Sequence, residues 1–270
     1  MALNDISLTS GMRQNLVSLQ NTVSLLNRTQ ERLASGKKVN SALDNPTNFF
    51  AAQAHLNRAS DLSALKDGMG EAIQAIKAAD AGIKGITGLI ESAKGLAQAA
   101  RSADAAGRAG LAGQYDDLRT QIDQLAGDSG YKGTNFLDNA DLQVNFNEDG
   151  TSSLTIEGFA ADSTGLAIDA AANAWVADTD IDAAVADLDA ALATLRTESA
   201  ALASNLSVIT TRQEFTTNMI TTLTTGADQL TLADMNEEGA NMLMLQTRQA
   251  LGTTALSLSS QTAQSVLRLF

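Results

Sequence analysis

Between Ile181 and Leu230 apolar residues recur at alternating steps of four and three: Ile181, Val185, Leu188, Leu192, Leu195, Ser199, Leu202, Leu206, Ile209, Gln213, Thr216, Ile220, Leu223, Ala227 and Leu230. Twelve of these fifteen positions are apolar. A strip with a period of 3.5 stays on one face of a slightly supercoiled helix, so the stretch reads as a coiled-coil-like seam. At about 1.5 Å per residue, fifty such residues make a rod of roughly 75 Å. The same phase runs on through Asp234, Glu237, Asn241, Met244, Arg248, Leu251, Ala255, Leu258, Thr262, Ser265 and Leu269. Its first positions are polar and it turns apolar again at Met244, which marks the end of one helix and the start of a second, separately packed one.

A single proline in 270 residues leaves room for very long helices, because an interior proline costs about 3 kcal/mol. With 4% aromatic residues the core is built from Ala, Leu and Ile. The net charge of −13 argues against nucleic acid and anionic membrane surfaces as partners, since both call for clustered Lys and Arg. The absence of cysteine excludes disulfides and thiolate metal sites. The first residues, Met-Ala-Leu-Asn-Asp-Ile-Ser-Leu-Thr-Ser, have neither the basic nor the apolar region of a secretory signal. No run approaches the roughly 18 apolar residues of a membrane span, so no membrane insertion is expected.

Taken in order, Met12, Leu16, Leu19, Val23, Leu26 and Leu33 share one seam before Ser35-Gly36 breaks it. Residues 37–48 are irregular, and Asp44 or Asn45 is placed to cap a helix with Pro46 in its first turn. A second seam follows in Leu62, Leu65, Met69, Ala72, Ile76, Ala79, Ile83, Ile86, Ile90, Ala93, Ala97 and Ala100. Six glycines in that span weaken the helix alone, so neighbours must hold it, and the glycines let helices approach. A third helix carries Leu111, Tyr115, Leu118, Ile122 and Leu125. Then the period changes: Leu142, Val144 and Phe146 alternate, Asn147-Glu148-Asp149-Gly150 makes a turn, and Leu154 and Ile156 alternate again, which predicts a β-hairpin. Residues 157–180 read as loop. The fold expected is mainly α, a long antiparallel coiled-coil-like bundle with a small hairpin insertion at about 137–180 and paired terminal helices.

Nothing in the pattern assembles a catalytic site. His55 is the sole histidine and has no matching partner on its helix. Asn145 to Gly150 imitates half of a calcium loop, but the twelfth position is Ile156 where a bidentate acid is needed, so a hairpin turn is the better reading. Asp116-Asp117 and Glu237-Glu238 read as solvated helix faces, and Gly82-Gly85-Gly88 follows no strand as a phosphate loop would. Met235, Met242 and Met244 fit either an adaptable binding stripe or ordinary packing. No cofactor and no metal is expected. The terminal seams are different, because two helices alone bury too little surface to be stable. Other copies of the chain are their expected cover, and both ends are expected to gain helix on assembly.

These residues resemble the bacterial flagellin family. Arg32-Leu-Ala-Ser-Gly-Lys-Lys-Val-Asn-Ser-Ala-Leu-Asp44 is similar to its N-terminal signature, and Tyr131-Lys-Gly-Thr-Asn-Phe-Leu137 to a short motif after its second N-terminal helix. Ala233-Asp-Met-Asn-Glu-Glu-Gly-Ala-Asn-Met242, with Gln246, Leu251-Gly252, Gln261 and Ser265 to Phe270, is similar to its C-terminal signature. The resemblance implies a subunit of the extracellular swimming filament, and the large outer domains usual in that family are expected to be lacking, because Phe136 and Ile181 stand close in the sequence. It implies a terminal coiled-coil core from residues 1–35 with 236–270, and a helical bundle from 36–235. The implied assembly interface comprises Met12, Leu16, Leu19, Val23, Leu26, Leu33, Met244, Leu251, Ala255, Leu258, Val266, Leu267 and Leu269. Implied partners are the chain itself, the flagellar export apparatus, a flagellin chaperone, and the filament cap and hook-junction proteins. The resemblance also implies export through the flagellar channel in place of a cleaved signal. A hook–filament junction protein and a cytoplasmic signalling coiled coil are the alternatives.

Overall fold

The structure, a computed structural model, describes residues 10–267, with side chains as far as Ser265. Among the described residues five α-helices and one hairpin follow in order: α1 (Ser10–Ser35), α2 (Pro46–Ala100), α3 (Ala105–Asp128), β1 (Leu142–Asn145), β2 (Ser153–Ile156), α4 (Asp178–Thr231) and α5 (Met235–Leu267). The chain divides into two compact units, at Asn57/Arg58 within α2 and at Thr221/Thr222 within α4.

The unit Arg58–Thr221 holds the main core. Of the twelve positions in the strip Leu62 to Ala100, eleven are buried and Leu65 is half-buried. They meet Ala112, Tyr115, Ile122 and Ala126 of α3 and Ile181, Leu188, Leu195, Leu202 and Ile209 of α4. Alternating Ala with Ile and Leu lets these helices pack closely. Close approach also explains two of the glycines. A Cβ on Gly82 would lie 2.2 Å from Ser129 Oγ, and one on Gly85 2.7 Å from Leu125 Cδ2. Gly68, Gly88 and Gly95 have open space instead, so the expectation of close approach fails at those three. Lys94 of α2, Arg101 in the turn after it and Arg108 of α3, spaced seven apart, pair with Asp189, Asp182 and Asp178, and the order of the pairs sets α2 antiparallel to α4. Exposed pairs of this kind contribute about 0–1 kcal/mol each, so they set register more than stability.

The hairpin forms in the expected register, with Leu142 opposite Ile156 and Val144 opposite Leu154. Asn147 closes its turn: its side-chain oxygen accepts from Ser152 N at 3.0 Å, and its carbonyl accepts from Gly150 N. Gly150 takes φ +66° there. The imitation of a calcium loop is therefore spent on turn geometry.

Residues 157–177 are not the loose loop the composition suggests. Ala161, Leu166, Ile168 and Trp175 are buried, and Trp175 packs at a tilt against Tyr115 with ring centroids 5.0 Å apart. The segment is pegged to α3 by carboxylates, Asp123 accepting from Ser163 N at 2.6 Å and Asp116 from Ala171 N at 3.1 Å. Arg108 donates to the carbonyls of Arg101, Ala103, Trp175 and Val176 while pairing with Asp178. Asn173, Ala174 and Trp175 all have φ near +50°, a strained run at about 1–3 kcal/mol per residue that only a well-packed anchor sustains. Trp175 is that anchor.

Tyr115 is fully buried and its hydroxyl donates to Asp169 O at 3.2 Å. Burial, aided by the charge of Asp187, pushes its pKa up to about 12, against about 10 in the unfolded chain. The folded state thus holds the proton more tightly, and the resulting stability is complete below pH 10 and lost as pH rises toward 12. Urea unfolding at pH 9 and pH 12 should show a larger loss for the wild type than for Tyr115→Phe. Parallel losses would refute the burial effect.

Candidate assembly interface

The unit made of the described residues up to Asn57 and from Thr222 onward carries the two terminal helices. Its joint is a set of backbone contacts between the segment after α1 and the link from α4 to α5. Gly36, at φ +70°, turns the chain so that its carbonyl accepts from Ala233 N at 2.9 Å, while Lys38 N donates to Thr231 O at 2.7 Å. Two capped helices leave this joint. Asn45 caps α2, its side-chain oxygen accepting from Asn48 N at 3.1 Å with Pro46 in the first turn. Asp234 caps α5, accepting from Asn236 N and Glu237 N. Asp44 accepts from Asn40 N, Ser41 N and Ser41 Oγ, and these backbone donors hold its carboxyl below the usual range.

α1 and α5 pack side by side. Arg32 meets Glu238 at 2.7 Å, and Gly252 lies against Leu19, so the two helices are antiparallel. Glu238 is thus a buried half of an ion pair, while its neighbour Glu237 is exposed. His55 is half-buried beside Gly226.

The seam between α1 and α5 uses only part of the implied interface. On α1, Met12 and Leu26 are buried, Leu19, Val23 and Leu33 are half-buried, and Leu16 is exposed. On α5 the seam runs through Glu238, Met242, Leu245, Gln249, Gly252, Leu256, Ser259 and Ala263, again in steps of four and three, with Gly239, Asn241 and Ser260 half-buried beside it. Met244, Leu251, Ala255 and Leu258 lie one residue out of this phase, on an open face, with Leu251 66% and Leu258 64% exposed. The strip carried over from α4 crosses the break at 232–234, and a helix restarted by its own cap is free to take a new phase. The side chains of Val266 and Leu267, and the whole of Leu269, lie outside the described residues. Met235 and Met244 are exposed and Met242 half-buried, so the methionines do not form one stripe. Leu245 and Leu256 escaped the single-strip reading, although a search for a second strip at the same spacing finds them.

α5 is therefore apolar on two faces. One is against α1; the other, with Leu243, Met244, Leu251 and Leu258, is uncovered in the single chain. Exposed Leu16, Val17 and Leu25 add a matching open face on α1. Large apolar side chains left open on two paired helices make a candidate protein-binding face. Charge is distributed to suit. Arg58–Thr221 holds 24 of the 31 acidic and 11 of the 18 basic residues, which accounts for the whole net charge of −13. The remainder, including both chain ends, holds seven of each and is neutral.

The model of the bacterial flagellin N-terminal helical region matches residues 6–141. Flagellins FljM and FljO of Caulobacter vibrioides are 31% and 32% identical over the full length of both chains. The chain belongs to the bacterial flagellins. A flagellin of Brucella melitensis is 26% identical over 94% of this chain and 95% of its own. The crystal structure of Bacillus cereus flagellin covers 55% of this chain and 88% of its own, with a TM-score of 0.48 and 21% identity. This flagellin is a structural subunit that polymerises into the extracellular helical filament used for swimming, and the junction and signalling alternatives are not favoured. Its family is structural rather than enzymatic. Among the described residues no helix is long and apolar enough to cross a membrane, and no group of three or more His, Asp or Glu is placed to hold a metal.

The tight approach at Gly252 gives a direct check on the α1–α5 seam. A Cβ there already sits 3.2 Å from Leu19 Cδ1, whereas Gly239 has open space. In assembled filaments, Gly252→Leu should part the helices and speed amide exchange in α1 around Leu19. Gly239→Ala should gain up to about 1 kcal/mol of helix propensity and leave that exchange unchanged or slower. Equal exchange in the two variants would mean that the seam does not hold.

Proposed function

We propose that the terminal helices are the polymerising element of this flagellin, residues 1–35 with 236–270 forming the filament's inner coiled coil and residues 36–235 the surrounding bundle. The observation that carries this is the second apolar face of α5, which α1 leaves open. Neighbouring copies supply its cover, and the neutral charge of the terminal unit lets many copies converge without repulsion. Met12, Leu26 and Leu19 hold the pair together within a subunit. Leu16, Met244, Leu251, Ala255 and Leu258 pack between subunits, continued by Val266, Leu267 and Leu269.

The subunit reaches the cell exterior unfolded through the flagellar export apparatus, with a flagellin chaperone covering its ends beforehand. The filament cap and hook-junction proteins meet the same terminal surfaces. Long helices with thin terminal packing suit such a route, since little tertiary structure must be undone at the ends. Assembly then orders the terminal helices, which in a dilute monomer lack cover on one side. Circular dichroism should show helicity rising on polymerisation. Unchanged helicity, with both ends already protease-resistant in a verified monomer, would refute ordering on assembly.

Leu258→Asp tests the assembly face itself. Leu258 is open to solvent in the single chain, so the variant should unfold at nearly the wild-type temperature. In the polymer it buries a charge at a cost of several kcal/mol, repeated at every subunit. Filaments and swimming should be lost, with the concentration needed for polymerisation raised at least about 100-fold, since each 1.4 kcal/mol is a factor of ten. Normal polymerisation by the variant would show that α5 is not an assembly element.

A further inference from the structure

Asp-Gly occurs twice in the chain, at Asp67-Gly68 and at Asp149-Gly150, and all four residues are exposed. Neither carboxylate is held by a hydrogen bond or ion pair among the described residues. What separates the pairs is the backbone. Asp67 lies in the interior of α2, where each amide is bonded to the carbonyl four residues back and neighbouring turns fix both dihedrals. Asp149 lies at the tip of the hairpin, between β1 and β2.

The hairpin turn ties down every acidic or amide side chain in it except one. The Asn147 side-chain oxygen accepts from Ser152 N at 3.0 Å, and its Nδ2 donates to Thr151 Oγ1 at 2.6 Å. Glu148 is drawn to Arg58 at 2.9 Å. Asp149 stays free. The amide that follows it is equally open. Gly150 N donates to Asn147 O over 3.3 Å, longer than the about 2.9–3.0 Å of a good bond. Gly150 takes φ +66°, and a Cβ there would meet nothing within 4 Å, so no side chain shields the nitrogen. A free carboxyl and an unshielded, weakly held amide on the next residue are the two reactants of a cyclisation.

We propose that Asp149 is a site of spontaneous isomerisation to isoaspartate, with water as the co-reactant. The Gly150 nitrogen attacks Cγ of the neutral carboxyl. An N–Cγ bond forms, and the amide proton leaves with the carboxyl hydroxyl as water. Water then opens the succinimide ring at either carbonyl. Opening at Cγ restores aspartate. Opening at the main-chain carbonyl breaks the old peptide bond, and the chain runs on through Cβ and Cγ. One water leaves and one enters, so the product is an isomer and no oxidant or reductant takes part. Its main chain is longer by one methylene, in a turn whose geometry sets the strand register. The Asn147–Ser152 closure and the Phe146 N to Ser152 O bond beside it loosen in the product, while the helices keep their packing. The same Asp-Gly pair that makes the turn thus gives it a limited lifetime. The reaction does not depend on assembly, so it stands or falls apart from the role of the chain ends.

Purified full-length flagellin would be held for several weeks at neutral pH, well below its melting temperature, in water enriched in heavy oxygen. Peptide mapping with electron-transfer fragmentation locates isoaspartate, and each succinimide opening leaves one heavy oxygen at its residue. Residue 149 should gain both marks at least about tenfold faster than residue 67, which reacts only after α2 opens locally. In denaturing urea the two sites should react alike, which ties the difference to the fold. Amide exchange at Phe146 should quicken in the aged wild type and stay slow in aged Asp149→Glu, whose longer side chain cyclises far more slowly. Absence of both marks at residue 149, or equal rates at 149 and 67 in the folded protein, would overturn the proposal. Faster exchange at Phe146 in both aged proteins would overturn the loosening of the turn by isomerisation.

Discussion

An α-helix with apolar residues on two sides cannot be satisfied by a single partner, and α5 is such a helix. Leu245, Leu256 and Ala263 pack toward α1, while Leu243, Met244, Leu251 and Leu258 stay in water. Fully covering a leucine is worth about 1.5–3 kcal/mol, so under the proposed assembly the open face represents free energy that neighbouring copies recover. The remaining features of the terminal unit serve this helix. The Gly36 turn and the Thr231 contacts fix where it starts, Asp234 caps it, and the Arg32–Glu238 pair sets its height against α1. A copy that is incomplete alone and complete among neighbours is what a polymer subunit requires.

Solubility before assembly has to come from elsewhere in the chain, and the partition of charge supplies it. All of the net charge sits on Arg58–Thr221, whose own core is well closed by Ile, Leu and Ala from three helices. That unit keeps the monomer dispersed by like-charge repulsion. The neutral ends remain free to gather.

Much of this was legible in the sequence because helix periodicity is a local property. The strips Leu62 to Ala100 and Ile181 to Leu230 are inner faces of α2 and α4, and the alternation around Asp149-Gly150 is a hairpin. Residues 157–177 were not legible, because their order depends on distant partners: Asp116 and Asp123 on α3, Arg108 after the α2 turn, and the Tyr115 ring against Trp175. A composition of Ala, Asp, Thr and Gly carries no trace of those contacts. The phase of α5 was hidden for another reason. A helix apolar on two faces supports two strips equally well, and choosing between them needs the fixed position of Leu19 opposite Gly252.

The most direct test is the structure of the assembled filament at side-chain resolution. Leu251 and Leu258 should lie within about 4.5 Å of apolar side chains from neighbouring copies, with the Leu245–Leu256 face still against α1 of the same chain. A filament in which Leu251 and Leu258 face water, or in which α5 leaves α1 altogether, would contradict assembly through the second face of α5.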